Sequence, residues 1–149
     1  MEFKIPETLN EEHEELHREL ARITEVGGAI GAAANKVAMI MHPHFIKEEE
    51  YAMPPLGLLE PLSKGDIKPE MKAVLKITDQ FKEMLPQMLS EHQAIVEALI
   101  KLADVSTREN RMEFAFIAKK LIIHIKTEEE VLYPAAILVG EYLRLKLKV

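Results

Sequence analysis

Cysteine and tryptophan are absent from this 149-residue chain. Without cysteine there is no disulfide, no thiolate-held zinc and no iron–sulfur cluster, so any bound metal falls to imidazole and carboxylate groups. Glycine is scarce, at six residues, and strand-type patterns are sparse, which argues against a sheet. A basic stripe is also missing. The formal net charge of −6 excludes a nucleic-acid partner bound by phosphate neutralisation. The most apolar run, Ala29 to Met41, is interrupted by Asn35-Lys36 and is too short to span a bilayer. Met1 to Asn10 lacks the basic start and apolar stretch of a signal peptide. The expectation is a cytoplasmic protein with no membrane partner.

What is present favours helix. Hydrophobic residues make up 48% of the chain and charged residues 30%, with Glu, Lys, Leu, Ala and Met supplying good helix formers. The length suits one compact domain with a single core. Apolar spacing predicts a first helix from about Leu9 through Ile23, with Thr8 or Asn10 as its cap. Gly27-Gly28 breaks it, and a second helix covers Ala32 to Met53, kinked at Pro43. These two form a hairpin over 8–53. Residues 54–69, rich in Pro and Gly, read as a connector outside the core. A second hairpin covers 70–134, with helix three from Glu70 to Leu102, a turn at Asp104-Val105-Ser106-Thr107 capped by Ser106 or Thr107, and helix four from about Glu109 to Tyr133, disturbed by Pro134. The tail, 135–149, ends in alternating Leu143 to Lys148, which suits a short strand or the basic end of a helix. The fold class is therefore an all-α antiparallel four-helix bundle made of two related hairpins.

The hairpins repeat their chemistry as well as their length. His44-Phe45-Ile46-Lys47-Glu48-Glu49-Glu50-Tyr51-Ala52-Met53-Pro54 aligns without a gap on His124-Ile125-Lys126-Thr127-Glu128-Glu129-Glu130-Val131-Leu132-Tyr133-Pro134, and Glu12-His13 aligns on Glu91-His92 ahead of each. Residues four apart share a helix face, so His44 with Glu48 and His124 with Glu128 present nitrogen and oxygen in one direction. His13 lies 14 residues before Gly27 and His44 16 after Gly28, while His92 lies 14 before Ser106 and His124 17 after Thr107. At about 1.5 Å rise per residue each pair returns to one level on antiparallel helices. Bundles build dinuclear centres this way. Carboxylates have two oxygens and can bridge, so Glu48 and Glu128 suit the space between two cations, with His13, His44, His92 and His124 terminal. Mixed imidazole and carboxylate ligation favours iron, manganese or zinc over calcium or magnesium.

His17, one turn after His13, is a candidate fifth imidazole, with an outer or solvated role as the alternative. Its counterpart is Val96, and that asymmetry leaves one ion with an open position for a small molecule. His42, two residues before His44, points away on a regular helix and reads as a surface or outer group. Glu49, Glu50, Glu129 and Glu130 read as solvated charges, with one per run available to a ligand histidine. Tyr51 and Tyr133 read as packing residues beside the site.

The segments HFIKEEEYAMP and HIKTEEEVLYP resemble the His-x-x-x-Glu-Glu signature, ending in proline, of the hemerythrin-like, or HHE cation-binding, family, and the likeness extends from about Leu9 to Pro134. It implies a non-haem di-iron site in which the four repeated histidines are terminal ligands and Glu48 and Glu128 bridge. Oxygen-carrying members place an extra His-x-x-x-His pair on the third helix, whereas here the pair is His13 and His17 on the first. They also use Asp where this chain has Glu128. The function implied is binding of dioxygen or a related small ligand, such as nitric oxide or peroxide, for sensing, storage or detoxification. Iron donation to damaged iron–sulfur proteins and a merely metal-stapled structural bundle are the alternatives. The bundle class also allows a homodimer, although no exposed apolar stripe marks an interface.

Overall fold

In the computed structural model, which describes residues 2–149, the first apolar stripe becomes α1, Glu7–Thr24. Its buried residues His13, Leu16, Leu20 and Ile23 recur every three or four positions, which places them along one face. Pro6 precedes the helix and no side chain caps it, so Thr8 and Asn10 are already helical and do not serve as caps. Gly28 takes φ +71°, a left-handed conformation that side chains disfavour, and α2 starts there, ahead of the expected Ala32, running Gly28–Lys47. Pro43 lies inside α2 without ending it, and the chain continues through a π-helical turn, Glu48–Ala52.

Residues 54–69 are not outside the core. They fold into a 3₁₀ turn, Pro54–Leu58, and a short helix α3, Leu59–Ser63, burying Pro54, Pro55, Leu56, Leu58 and Leu62. Proline and glycine break the long helix there, but the leucines between them still seek apolar cover. A 3₁₀ turn, Pro69–Ala73, leads into α4, Val74–Arg108, with Pro86 inside it.

The expected turn at Asp104 to Thr107 is helical instead. Ser106 is buried, and the Thr107 hydroxyl donates to the Ala103 carbonyl at 2.8 Å, so its hydrogen bond is met within the helix. The chain reverses at Asn110, at φ 57°, where the Arg111 amide donates to the Ser106 carbonyl at 2.8 Å. That closing bond and the left-handed asparagine terminate α4. Helix α5, Met112–Thr127, runs through a second π-helical turn, Glu128–Leu132, into α6, Tyr133–Leu147. Pro134 lies within this continuous helical run, directly after the π-helical turn, and the alternating tail is helix, not strand.

Helices α1, α2, α4 and α5 pack in a closed ring, each against the next, giving the four-helix bundle; α6 extends α5 along α4. No strand occurs among the described residues, and none of their helices is long and apolar enough to cross a membrane. Two apolar clusters flank the site, an upper one that includes Leu16, Met41, Phe45, Ile95, Leu121 and Ile125 and a lower one that includes Ala52, Met53, Leu56, Phe81, Met88 and Tyr133, and a third joins Leu58, Leu62, Met71, Val74, Val139 and Leu143. On every helix the repeated His and Glu residues fall where one cluster gives way to the other, so apolar layers close the site from both ends.

Gly140 brings α6 close to α4: a methyl there would meet the Thr78 Cβ at 2.8 Å, closer than carbon atoms tolerate. Gly140→Ala is expected to destabilise the metal-free protein by about 1–3 kcal/mol, the usual cost of overpacking. Urea unfolding checks it, and an unchanged midpoint would refute the close fit.

Candidate metal centre

The i,i+4 spacing of His44 and Glu48, and of His124 and Glu128, aims each pair into the bundle axis, and the helix N-terminal half of each hairpin adds His13 and His92. All six are buried: His13 is 2% exposed, His44 and His92 1%, His124 6%, Glu48 0% and Glu128 1%. Their ligand atoms gather into two groups, His44, Glu48, His92 and Glu128 in one and His13, His124 and Glu128 in the other, each with its atoms within 4.8 Å of one another. Glu128 belongs to both. Glu48 also spans them, since Oε2 lies 3.3 Å from His13 Nε2 while Oε1 contacts His44 Nε2. Glu128 places Oε1 3.3 Å from His92 Nε2 and Oε2 3.4 Å from His124 Nε2.

Each group therefore joins histidines of different hairpins. His44 of α2 faces His92 of α4, with ring centroids 4.6 Å apart, and His13 of α1 faces His124 of α5 at 5.6 Å.

A second ring of carboxylates holds the imidazoles. His44 Nδ1–H donates to Glu91 at 2.8 Å, and His124 Nδ1–H donates to Glu12 at 2.7 Å. Because a carboxylate only accepts, these bonds fix the proton on Nδ1 and turn Nε2 inward as a free lone pair. Lys47 and Gln87 donate to Glu91 in turn. Burial by itself would raise the Glu91 carboxyl, but the bonds from Lys47, Gln87 and His44 bring it down to about 2. Glu49 and Glu129 face His13 Nδ1 and His92 Nδ1 at 3.7 and 3.4 Å without hydrogen-bonding them. One acid from each Glu-Glu-Glu run thus lies beside a histidine. Glu12 and Glu91 went unread in the sequence, although the repeat that flags His13 and His92 carries a glutamate immediately before each. Glu91→Ala is expected to weaken metal binding about 10- to 100-fold, the usual cost of removing an outer partner of a ligand histidine. Competition against a chelator checks it; unchanged affinity would deny Glu91 that role.

Both π-helical turns begin at the inward glutamates, Glu48 and Glu128. Such turns widen a helix by one residue and cluster at functional sites, and here each re-aims the chain beyond its carboxylate.

The donors fit a pair of cations. Glu48 has neither oxygen hydrogen-bonded, and His13 neither nitrogen; Glu128 Oε1 and His124 Nε2 are likewise without partners. Buried polar atoms left this way are costly unless something else satisfies them. Without metal, protons stand in. Burial lowers His13, but the nearby carboxylates of Glu128 and Glu48 outweigh it and raise the imidazole to about 10. His92 rises to about 9 on the same balance. Burial would raise Glu48, yet its neighbours Glu128, His13, His44 and His92 hold it well below the carboxylate range.

His17 and His42 join neither group. The Phe45 ring lies 4.3 Å from His13 and 4.2 Å from His17, so it stands between His17 and the centre. His17 instead stacks near His42 at 6.2 Å, and burial, with the charge of His13, lowers its pKa. His17 lies one turn beyond His13 on α1 and is half-buried, with the Phe45 ring of α2 against it, a contact that helix spacing alone does not reveal. Tyr133 is more than packing. It is 2% exposed, and its hydroxyl lies 3.2 Å from His44 Nε2 and 3.1 Å from His92 Nε2.

The arrangement is a buried His and Glu cluster able to bind metal. No curated protein and no solved structure matches the chain. The profile of the hemerythrin HHE cation binding domain matches residues 4–136, nearly the whole chain, and the protein belongs to that family.

Proposed function

We propose that this is a non-haem di-iron protein that takes up dioxygen or a related small ligand, nitric oxide or peroxide, for sensing, storage or detoxification. The observation that carries the proposal is the pair of donor groups sharing Glu128, with orphaned oxygens on both bridging carboxylates. In this reading His44 and His92 would hold one ion and His13 and His124 the other, with Glu48 and Glu128 available to both. Four imidazoles with two carboxylates suit iron in preference to the hard alkaline-earth cations. Iron bound there supplies reversible one-electron chemistry toward a small oxidant.

The chain's own contribution is enclosure and orientation. Donors exposed by 6% or less hold the centre away from solvent and out of reach of a bulky organic substrate. Glu12 and Glu91 fix the imidazoles in their ligating tautomer, and the apolar clusters above and below exclude water. Anaerobic loading with ferrous iron, followed by metal analysis and exposure to air or nitric oxide, tests the reading. Two irons per chain and a spectral change on adding the gas are expected. Iron well below two per chain, or a loaded protein indifferent to both gases, would overturn it; tight zinc binding that restores folding with no redox response would favour a structural staple.

A further inference from the structure

The two halves of the centre are not equivalent. The alignment that sets His124 against His44 sets Tyr133 against Met53, so a phenol stands at one end of the pseudo-symmetry where the other has a thioether. Tyr133 opens α6 directly after the π-helical turn that starts at Glu128. Its ring lies parallel to His92, with centroids 5.3 Å apart and planes at 19°, and the Phe81 ring meets it edge-on at 5.0 Å. These contacts lock the hydroxyl over the His44 and His92 nitrogens.

Those nitrogens are the metal-facing ones. His44 Nδ1 is taken by Glu91, and His92 Nε2 points at Glu128. In the metal-free protein the hydroxyl can donate to His44 Nε2 and accept from the protonated His92. A cation that displaces the His92 proton turns both nitrogens into lone pairs facing it, and the hydroxyl oxygen is then beside them as a third donor. Donors to one ion, each about 2.0–2.2 Å from it, lie about 3 to 3.5 Å apart, and the hydroxyl oxygen lies 3.1 and 3.2 Å from the two nitrogens.

Resting on the dinuclear reading above, we propose that the Tyr133 oxygen is a ligand of the ion held by His44 and His92, one that the ion at His13 and His124 lacks. On coordination the phenol O–H bond breaks, its electron pair becomes the metal–oxygen bond and its proton passes to solvent, as happens to thiols and waters on bound cations. Nothing is oxidised or reduced in this step.

The test uses full-length protein loaded with ferrous iron, oxidised to ferric, and grown with ordinary or ring-deuterated tyrosine. Wild type is expected to show visible phenolate-to-ferric absorption whose resonance-Raman ring modes shift on deuteration. Tyr133→Phe should lose that signature completely and keep two irons per chain, while Tyr51→Phe retains it. Two irons per chain in wild type without tyrosinate modes, or modes that survive in Tyr133→Phe, would overturn this proposal and leave the dinuclear reading standing. Fewer than two irons in wild type would sink both.

Discussion

Glu128→Gln is expected to reduce metal content from two ions per chain to one or none. The variant keeps the size and one carbonyl oxygen of the side chain, but removes the charge and the second oxygen that serves the other donor group. Glu128 is the residue common to both groups, with Oε1 toward His92 and Oε2 toward His124. The loss in affinity should exceed the 10- to 100-fold typical of an outer partner, reaching about 1,000-fold for at least one ion. The comparison with Glu91→Ala is informative, since both remove a carboxylate from a histidine and only Glu128 spans the groups. Metal analysis after dialysis against a weak chelator reads the difference. Two tightly held ions in Glu128→Gln would show that Glu128 does not bridge.

Metal-free protein should lose stability as the pH rises from 7 to 10, while loaded protein holds steady. His13 and His92 titrate near 10 and 9 in the fold, against 6.5 for an unperturbed histidine. Above pH 6.5 the folded chain therefore binds more protons than the unfolded chain, and stability falls with pH. The contribution is complete below the unfolded value and gone once the folded values are passed. The two imidazoles share the carboxylates of one network, so their displacements do not add at the full ~1.4 kcal/mol per pH unit, and a loss on the order of 3 kcal/mol is expected, roughly 6–12 °C in Tm for a chain of this size. Glu48 works in the opposite sense: its depressed pKa stabilises the fold above the ordinary carboxylate range, and that part is lost in acid. Cations that replace the protons should flatten the alkaline limb, and loading at pH 7 should release the protons of His13 and His92 into a weakly buffered solution. A metal-free Tm that stays level between pH 7 and 10, or loading without proton release, would contradict the buried imidazolium network.

Part of this protein was legible in one dimension because the relevant interactions are local. Apolar residues three and four apart mark the helix faces, and a His-x-x-x-Glu spacing places two donors on one side of one helix whatever surrounds it. The duplication of that spacing then identified His13, His44, Glu48, His92, His124 and Glu128 together. Local signals failed where a neighbour decided the outcome. Ser106 and Thr107 read as a turn, but packing of Leu102, Ala103 and Val105 in the upper cluster carried α4 onward to Arg108. The prolines and glycines of 54–69 read as a connector, but the leucines among them had an apolar end of the bundle to cover.

The sequence by itself determined the faces of the four bundle helices, the repeat and the six donor types, since each shows as a spacing within about one helical turn. Only the tertiary structure decided that histidines pair across hairpins, His44 with His92 and His13 with His124, that Phe45 bars His17 from the centre, and that Glu12, Glu91 and Tyr133 close around it. The physical reason is that helix periodicity fixes where a side chain points about its own axis, whereas which atom it meets there is set by the packing of helices distant in sequence.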